Sequence, residues 1–325
     1  MSGYVVSTLA EAPASARALS DLASLSFGTY PGVIVGDEGF TNWFLRRPGF
    51  DNRLSRAAWH DDTLVASVFV VYSPLFVAGD PRSFGIVDTV MTHPRHQRRG
   101  LARELLEGAI AGAEQSGLGA MQLYTAPGSP GFRLYEQLGF RHLKRLRYWM
   151  RLPGEHLAPA AATKWRVATE AEHDAVRGLI EARRATHDGV PLHDEALWAW
   201  RKRDRPASIA AEVWTGDKGG RPSEAVTACS AELTSIGRQI VLGDLALGED
   251  SGLDALSGHL GRTSALTAIC DVEDAATEAA LRRSGFRPGQ EEAAMFLPLA
   301  DSAVVAELEG SSRPWFPLTE SIVGV

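Results

Sequence analysis

The chain has almost no cysteine and no long apolar run. Its 325 residues include only Cys229 and Cys270. Each lies in an apolar stretch, so neither a disulfide framework nor a cysteine metal cluster is expected. No apolar segment approaches the roughly 20 residues of a membrane helix, and the N-terminus has no basic segment followed by an apolar one. We therefore expect a protein of the reducing cytoplasm with no membrane partner.

Lysine and net positive charge are also scarce. Four of the 33 basic residues are lysine, and the formal net charge is −7. This balance disfavours nucleic acid as a partner, although a local basic loop could still capture phosphate. In contrast, 45% of the residues are hydrophobic and 22% are charged, which excludes disordered, fibrous and coiled-coil classes. At roughly 100–200 residues per domain, the length favours two domains.

The domain boundary is expected near residue 153, because residues 151–164 are rich in proline, glycine and alanine and have no hydrophobic periodicity. We predict an N-terminal domain over 1–152, a linker over 153–164, a C-terminal domain over 165–300 and a tail over 301–325. Upstream of the boundary, helical and strand patterns alternate, which predicts α/β architecture with a mixed sheet. The predicted elements are helices at Ser15–Phe27 and Leu101–Ala113 and strands at Leu64–Tyr72, Phe84–Thr92 and Ala120–Tyr124.

The same order of elements recurs downstream. Its best anchor is a pair of helix ends, Leu134–Phe140 and Ala280–Phe286, each closed by Gly-Phe and followed by a strand pattern. Two copies of one fold are therefore expected. The downstream elements are strands at Trp165–Ala168, Ile209–Thr215, Ala225–Leu233 and Gln239–Leu247 and helices at His173–Arg184 and Glu195–Lys202.

One segment, Val87–Ala102, has the pattern of a phosphate-binding loop. A β-branched strand ends at Pro94, a basic loop follows, and Gly100 precedes a helix that begins at Leu101. The N–H groups at the start of a helix lie at its positive dipole end, where they attract a diphosphate. Arginine side chains add charge to such a site. The basic side chains of the loop are Arg95, Arg98 and Arg99.

This segment resembles the acyl-CoA loop of the GCN5-related N-acetyltransferase (GNAT) family. The resemblance rests on Gln97-x-x-Gly100-x-Ala102 and on the Leu-Tyr-x-x-Leu-Gly-Phe sequence at Leu134–Phe140. It is strongest over Val87–Met150 and much weaker over Trp165–Ala300. The whole chain resembles tandem-GNAT proteins, including mycothiol synthases and Eis-type aminoglycoside acetyltransferases. This resemblance implies two tandem GNAT folds. Each would be a mixed, mostly antiparallel sheet with a splayed parallel strand pair, flanked by helices.

The resemblance also implies where acetyl-CoA binds. The pantetheine arm would lie between the strand that ends at Thr92 and the strand Ala120–Tyr124, with a backbone N–H near Met91 facing the thioester carbonyl. No metal is needed. The implied cofactor-binding residues are Val90, Met91, Thr92, Gln97, Arg98, Arg99, Gly100, Leu101 and Ala102.

Tyr135 matches the family tyrosine that protonates the departing thiolate. A phenol with an ordinary pKa near 10 can serve as this general acid. The alternative is that Tyr135 is an aromatic core residue, and Tyr124 and Tyr30 are weaker candidates for the acid. His93 and His96 are expected on the loop surface without a metal.

Asp88 is the candidate general base. Strand alternation predicts that Asp88, Val90 and Thr92 share one face, although the position that best matches the family base is Ile86. The alternative is that the Asp88 carboxylate only bonds a neighbouring loop or arginine. A water relay, or the deprotonated fraction of the substrate amine, would then replace it.

Two further features bear on the sites. Gly128 stands where the family usually has an asparagine that bonds the pantetheine arm, and Ser129 is a candidate replacement. In the second copy, Leu281 aligns with Tyr135, and an acidic segment aligns with the basic loop, so no CoA is expected to bind there. The acids of that segment are Glu249, Asp250 and Asp254.

The acceptor pocket is expected within Phe27–Phe50. This segment contains Phe27, Tyr30, Trp43, Phe44 and Phe50, and simple helix packing is the favoured interpretation for Trp43 and Phe44. The leading functional hypothesis is an acetyl-CoA-dependent N-acetyltransferase that acts directly on a primary amine of a small molecule. The alternatives are a non-catalytic acyl-CoA-binding regulatory module, a protein amine as acceptor, and another acyl-CoA as donor. The expected partners are acyl-CoA and the amine, with a homodimer as a further option.

Overall fold

The computed structural model describes residues 3–34, 36–155, 163–191, 193–218, 221–248 and 251–313. The chain divides into two compact units. The first unit comprises Met1–Lys144 and Ala293–Gly310, and the second comprises Arg145–Glu292 and Ser311–Val325. No helix within the described residues is long and apolar enough to span a bilayer.

The elements follow one another in alternating order. The first run comprises β1 (Tyr4–Thr8), α1 (Ala16–Phe27), α2 (Glu38–Leu45), β2 (Arg56–His60), β3 (Thr63–Val77), β4 (Asp80–Thr92), α3 (Leu101–Gln115), β5 (Ala120–Thr125), α4 (Pro130–Gln137) and β6 (Arg141–Arg151). The second run comprises β7 (Lys164–Val167), α5 (His173–Arg184), β8 (Val190–Pro191), α6 (Glu195–Lys202), β9 (Ala211–Lys218), β10 (Arg221–Leu233), β11 (Gly237–Ala246), α7 (Leu253–Leu260), β12 (Ala265–Asp271), α8 (Ala275–Arg283), β13 (Arg287–Pro298) and α9 (Ser302–Glu309).

The first unit is built on a mixed sheet with flanking helices, which confirms the predicted α/β class. Strands β1 to β4 pair antiparallel in chain order. Strand β5 then pairs parallel to β4, because α3 carries the chain back across one face of the sheet. The residues of α3 that recur at four-residue spacing are buried in the core of this unit. They are Leu101, Leu105, Ala109 and Ala113.

The second unit has the same strand order. Strands β7, β9, β10 and β11 pair antiparallel, and β11 pairs parallel to β12. The two predicted helix ends also have the same geometry. The amide of Phe140 donates to the Tyr135 carbonyl at 3.0 Å, and the amide of Phe286 donates to the Leu281 carbonyl at 3.0 Å. In each motif the glycine before the phenylalanine has a positive φ, as this type of helix end requires.

The units differ from the predicted domain boundaries at two strands. The end of β13 pairs with β5 from Ala293 opposite Thr125 to Pro298 opposite Ala120, and it belongs to the first unit. The end of β6 pairs with β12 in the second unit. Pairing between segments this far apart in sequence leaves no local signal, so the predicted 1–152 and 165–300 boundaries place both segments in the other unit.

The linker and the tail were also predicted from composition. Most of the linker 153–164 lies outside the described residues. The first part of the predicted tail 301–325 forms α9, which begins at an Asp301 cap and buries Val304, Val305 and Leu308. Because α9 has an apolar face, its packing against β3 and β5 stabilises it. Residues 314–325 lie outside the described residues.

Candidate active site

Strands β4 and β5 separate at one end and leave a gap in the sheet of the first unit. They pair only from Phe84 opposite Ala120 to Ile86 opposite Gln122, although β4 continues to Thr92 and β5 to Thr125. Beyond Ile86, the side of β4 that faces β5 therefore has no strand partner within the described residues. Backbone N–H and C=O groups at such a gap can bind an extended ligand.

A β-bulge in β4 lies at the start of the gap. Ser67 is paired with Met91 and Phe69 with Asp88, so Thr89 and Val90 together oppose one residue of β3. Thr89 has a φ of 50°, which is rare for a β-branched residue. A bulge bends its strand, and this one lies just beyond the point where β4 and β5 stop pairing.

The bulge contradicts the prediction that Asp88, Val90 and Thr92 share one face. An extra residue shifts the alternation of side chains by one position. Asp88 lies on the face of its partner Phe69, whereas Thr92 is paired with Ala66, which belongs to the core that faces α3. Val90 also packs against that core, so neither residue lies beside Asp88.

The loop after β4 leads directly into the start of α3. His93 accepts a hydrogen bond from the amide of Arg95 at 3.1 Å and caps a short turn over Pro94–His96. Arg98 and Gly100 then adopt positive φ values of 59° and 84°. These conformations turn the chain sharply into α3.

The N-terminus of α3 has the properties of an anion site. No side chain caps it, and a Cβ atom added at Gly100 would meet nothing within 4 Å. The first-turn amides of an α-helix have no intrahelical acceptor. The predicted cradle therefore has open space at Gly100, and Leu101 contributes only its backbone because its side chain is in the core.

The polar side chains of the loop have different partners. Arg98 is exposed. Arg99 donates from Nη1 to the Tyr4 hydroxyl at 2.8 Å, and Gln97 donates from Nε2 to the Thr92 carbonyl at 3.4 Å. Tyr4 was not among the predicted site residues, because a tyrosine on the first strand carries no local signal of a contact 95 positions away.

Tyr135 lies on α4, with 7% of its surface exposed. Its ring contacts the Phe140 ring with centroids 6.0 Å apart. Burial raises the pKa of the Tyr135 hydroxyl, and the charges of Tyr30 and Asp88 raise it further. The hydroxyl therefore keeps its proton at neutral pH, and the three predicted residues Tyr135, Tyr30 and Asp88 lie within electrostatic range of one another.

Asp88 is buried beside an arginine. Its Oδ1 accepts a hydrogen bond from the Thr89 hydroxyl at 2.8 Å, and its Oδ2 lies 3.9 Å from Nη1 of Arg47. Arg47 is only 4% exposed. Arg47 therefore fits the alternative interpretation of Asp88, in which the carboxylate only bonds a neighbouring arginine. The sequence analysis did not name Arg47.

The aromatic segment before the sheet splits into packed and accessible residues. Trp43 is 1% exposed and Phe44 is 8% exposed, and the Phe44 ring stacks on Phe69 at 5.7 Å. Tyr30 is 49% exposed and contacts Phe27 edge-on at 6.1 Å. Of these residues, Tyr30 therefore has the most surface available to a ligand.

Ser129 already has a structural role next to Gly128. Its hydroxyl caps α4 by accepting from the amide of Phe132 at 3.0 Å and lies 3.2 Å from the Thr125 hydroxyl. A capping hydroxyl is held in place by the helix. Among the described residues, no group of histidine, cysteine and acidic side chains is arranged to hold a metal ion.

The corresponding helix start in the second unit is occupied by an acidic side chain. Buried Glu224 accepts hydrogen bonds from the amide of Gly248 at 3.3 Å and from the amide of Gly252 at 3.1 Å, just before α7. Sequence reasoning missed Glu224 because it lies on β10, far from the loop in sequence. Asp254 is buried, whereas Glu249 and Asp250 lie outside the described residues.

Residues 14–143 match the family model described as "Acetyltransferase (GNAT) domain". This part of the chain is therefore similar to a GNAT acetyltransferase domain, in agreement with the resemblance seen in the loop. No curated protein has significant sequence similarity to the chain.

Several solved structures share the fold over about nine-tenths of the chain. A GCN5-related N-acetyltransferase from Anabaena variabilis is 13% identical with a TM-score of 0.64, over 90% of this chain and 72% of that chain. Saccharomyces cerevisiae N-myristoyltransferase with bound myristoyl-CoA and inhibitors is 12% identical with a TM-score of 0.65, over 92% and 80%. An Enterococcus faecalis protein described as a probable N-acyltransferase is 13% identical with a TM-score of 0.62, over 92% and 73%. At these identities the likeness shows the fold alone.

Proposed function

We propose that the chain is an acetyl-CoA-dependent N-acetyltransferase that transfers the acetyl group directly to a primary amine of a small molecule. One observation carries the proposal. The gap between β4 and β5 leads at one end to the uncapped N-terminus of α3, and the Tyr135 hydroxyl lies within electrostatic range of Asp88 on β4. This arrangement suits a thioester whose diphosphate lies at the helix start.

The chain would hold the donor mainly through backbone groups. Amides at the start of α3, with Arg98 and Arg99, bind the diphosphate. Backbone groups of Val90–Thr92 pair with the pantetheine arm in the gap. An N–H near Met91 then donates to the oxyanion that forms when the amine attacks the thioester carbonyl.

Tyr135 supplies the proton for the leaving group. When the tetrahedral intermediate collapses, the C–S bond breaks, and the phenol donates its proton to the departing thiolate. The hydroxyl carries this proton at neutral pH. Asp88 accepts the amine proton in this scheme, directly or through a water. Asp88 lies on the sheet face that bears its β3 partner Phe69, with Arg47 beside it.

The second unit keeps the strand order but not the chemical groups. Leu281 stands at the Tyr135 position of the matching helix end, and Glu224 occupies the matching helix start. We propose that the chain is a tandem pair of GNAT folds in which only the first binds acyl-CoA. An acidic side chain at a helix start repels a diphosphate.

The test is release of CoA thiol from acetyl-CoA in the presence of pooled small-molecule amines, with longer acyl-CoA thioesters and a lysine peptide as further arms. Wild-type protein should show amine-dependent release. Tyr135→Phe keeps the ring contact with Phe140 and should lower kcat by roughly 10²–10⁴-fold with little change in acetyl-CoA affinity.

Tyr72→Phe, at an exposed position of β3, is the matched control and should leave kcat unchanged. Binding of acetyl-CoA without turnover on any amine would instead indicate a regulatory binding module. Equal turnover by Tyr135→Phe and wild type would remove Tyr135 from the mechanism.

A further inference from the structure

Four aromatic side chains cluster beside the loop that precedes α3. The ring of His96 lies 5.1 Å from that of His60, 5.3 Å from that of His93 and 5.7 Å from that of Tyr4. The Tyr4 and His60 rings are 4.9 Å apart. These residues, Tyr4, His60, His93 and His96, are called the histidine cluster below, and the mechanism above uses none of them.

Hydrogen bonds orient two of the imidazole rings. Arg99 donates to the Tyr4 hydroxyl, and that hydroxyl can donate its own proton to Nδ1 of His96, 2.9 Å away. In a neutral ring whose Nδ1 accepts, Nε2 carries the proton. Nδ1 of His93 likewise accepts from the amide of Arg95. Both imidazoles therefore have an Nε2–H donor for a ligand.

Basic side chains gather around His96. Burial, then His60, His93 and the two arginines nearby, lower the pKa of His96. A phosphate placed beside His96 would offset this lowering, so it would favour the protonated ring and would bind with uptake of a proton. Asp61 is an acidic neighbour of the cluster, but it is 89% exposed, with its Oδ2 3.5 Å from Nδ1 of His60. The facing titratable and charged groups are Tyr4, His60, Asp61, His93, Arg95 and Arg99.

The cluster is joined to the diphosphate loop through one side chain. Arg99 belongs to the loop that leads into α3, and it also bonds Tyr4 and lies over its ring at 5.9 Å. A ligand that carries a diphosphate and a separate phosphate on the same sugar could place the diphosphate at the start of α3 and the separate phosphate at the cluster. The 3′-phosphate of CoA has this relation to the diphosphate of CoA.

We propose that the histidine cluster is a second phosphate subsite of the first unit and binds the 3′-phosphate of acyl-CoA. The inference rests on the proposed function, since it assigns one more group of the same ligand. It assigns to the chain a preference for CoA thioesters over their 3′-dephospho analogues. That preference resides in side chains of β1, β2 and the loop, and not in α3.

Calorimetric titration with acetyl-CoA and with 3′-dephospho-acetyl-CoA tests the proposal. Two charge-assisted hydrogen bonds to the extra phosphate should make acetyl-CoA bind at least about 10-fold more tightly. Titration in two buffers of different ionisation enthalpy should show net proton uptake near pH 7 with acetyl-CoA and not with the dephospho analogue.

The double variant His60→Gln/His96→Gln should reduce the affinity ratio to near one and leave affinity for the dephospho analogue unchanged. His142→Gln is the control, because His142 is exposed on β6, outside the histidine cluster, where it bonds the Lys144 carbonyl. It should keep the wild-type ratio. Thermal unfolding of each variant shows that it is folded.

Equal wild-type affinity for the two ligands would overturn the subsite while leaving acyl-CoA binding intact. A ratio that survives in the double variant would also overturn it, and would place the 3′-phosphate elsewhere. Failure of both ligands to bind would refute the proposed function itself, and the subsite with it.

Discussion

Replacing Gly100 by glutamate tests the diphosphate site without disrupting the fold. Gly100 has a φ of 84° and open space around an added Cβ, so Gly100→Glu creates no clash. The left-handed backbone costs about 1–2 kcal/mol for a residue with a side chain. The new carboxylate lies at the start of α3, where a negative charge offsets part of this cost. The variant should therefore fold, with a melting temperature lowered by no more than several degrees.

The effect on acetyl-CoA should be much larger. Two unit charges about 4 Å apart interact by roughly 4 kcal/mol at an effective dielectric constant of about 20. Repulsion of this size between the new carboxylate and the diphosphate corresponds to about 1,000-fold in Kd. Isothermal titration calorimetry with acetyl-CoA measures this loss directly.

Gly117 provides the matched control at the opposite end of the same helix. It has a φ of 70° and nothing within 4 Å of an added Cβ. Gly117→Glu thus introduces the same charge and the same backbone cost just after α3, away from the loop. Its acetyl-CoA affinity should equal that of wild type. Wild-type affinity in Gly100→Glu, or an equal loss in both variants, would refute the assignment of the diphosphate to the start of α3.

Three further substitutions test separate parts of the structure. Asp88→Asn should lower kcat and change the pH–rate profile if Asp88 is the base, whereas a purely structural role beside Arg47 would leave kcat unchanged. Asp244→Asn removes the buried carboxylate that lies 2.5 Å from Lys202 and should destabilise the protein by about 3–5 kcal/mol in denaturant unfolding; a loss below about 1 kcal/mol would contradict this. Burial raises the pKa of Glu292 to about 7 from 4.5. The native state then holds a proton that the unfolded state has lost, so stability falls as pH rises from 4.5 to 7. Glu292→Gln should remove up to about 3 kcal/mol of this pH-dependent loss of stability. An equal loss of stability in the variant and in wild type across this pH range would contradict the prediction.

Local features of the site were readable from the sequence, because they depend on neighbouring residues. The loop around Gly100 and the Gly-Phe helix end at Phe140 both depend on a glycine with positive φ, which a short sequence pattern indicates. The elements between them were predicted for the same reason, since their periodicity lies within a few turns or strand residues. These signals were sufficient to predict the α/β class and the start of α3.

Features that depend on pairing or on distant contacts could not be predicted. The bulge at Thr89 breaks strand alternation without any glycine to mark it, so the face of Val90 and Thr92 was assigned wrongly. Arg47 and Glu224 each contact residues far away in sequence, and neither lies in a motif. Ala293–Pro298 belongs to the first unit because it forms hydrogen bonds with β5. Composition does not reveal such pairing.

The central claim is that only the first unit binds acyl-CoA. Titration of the full chain with acetyl-CoA, followed by calorimetry, measures the stoichiometry directly. One equivalent per chain is expected, because Glu224 occupies the matching helix start in the second unit and Leu281 replaces the tyrosine. Two equivalents per chain would contradict the account.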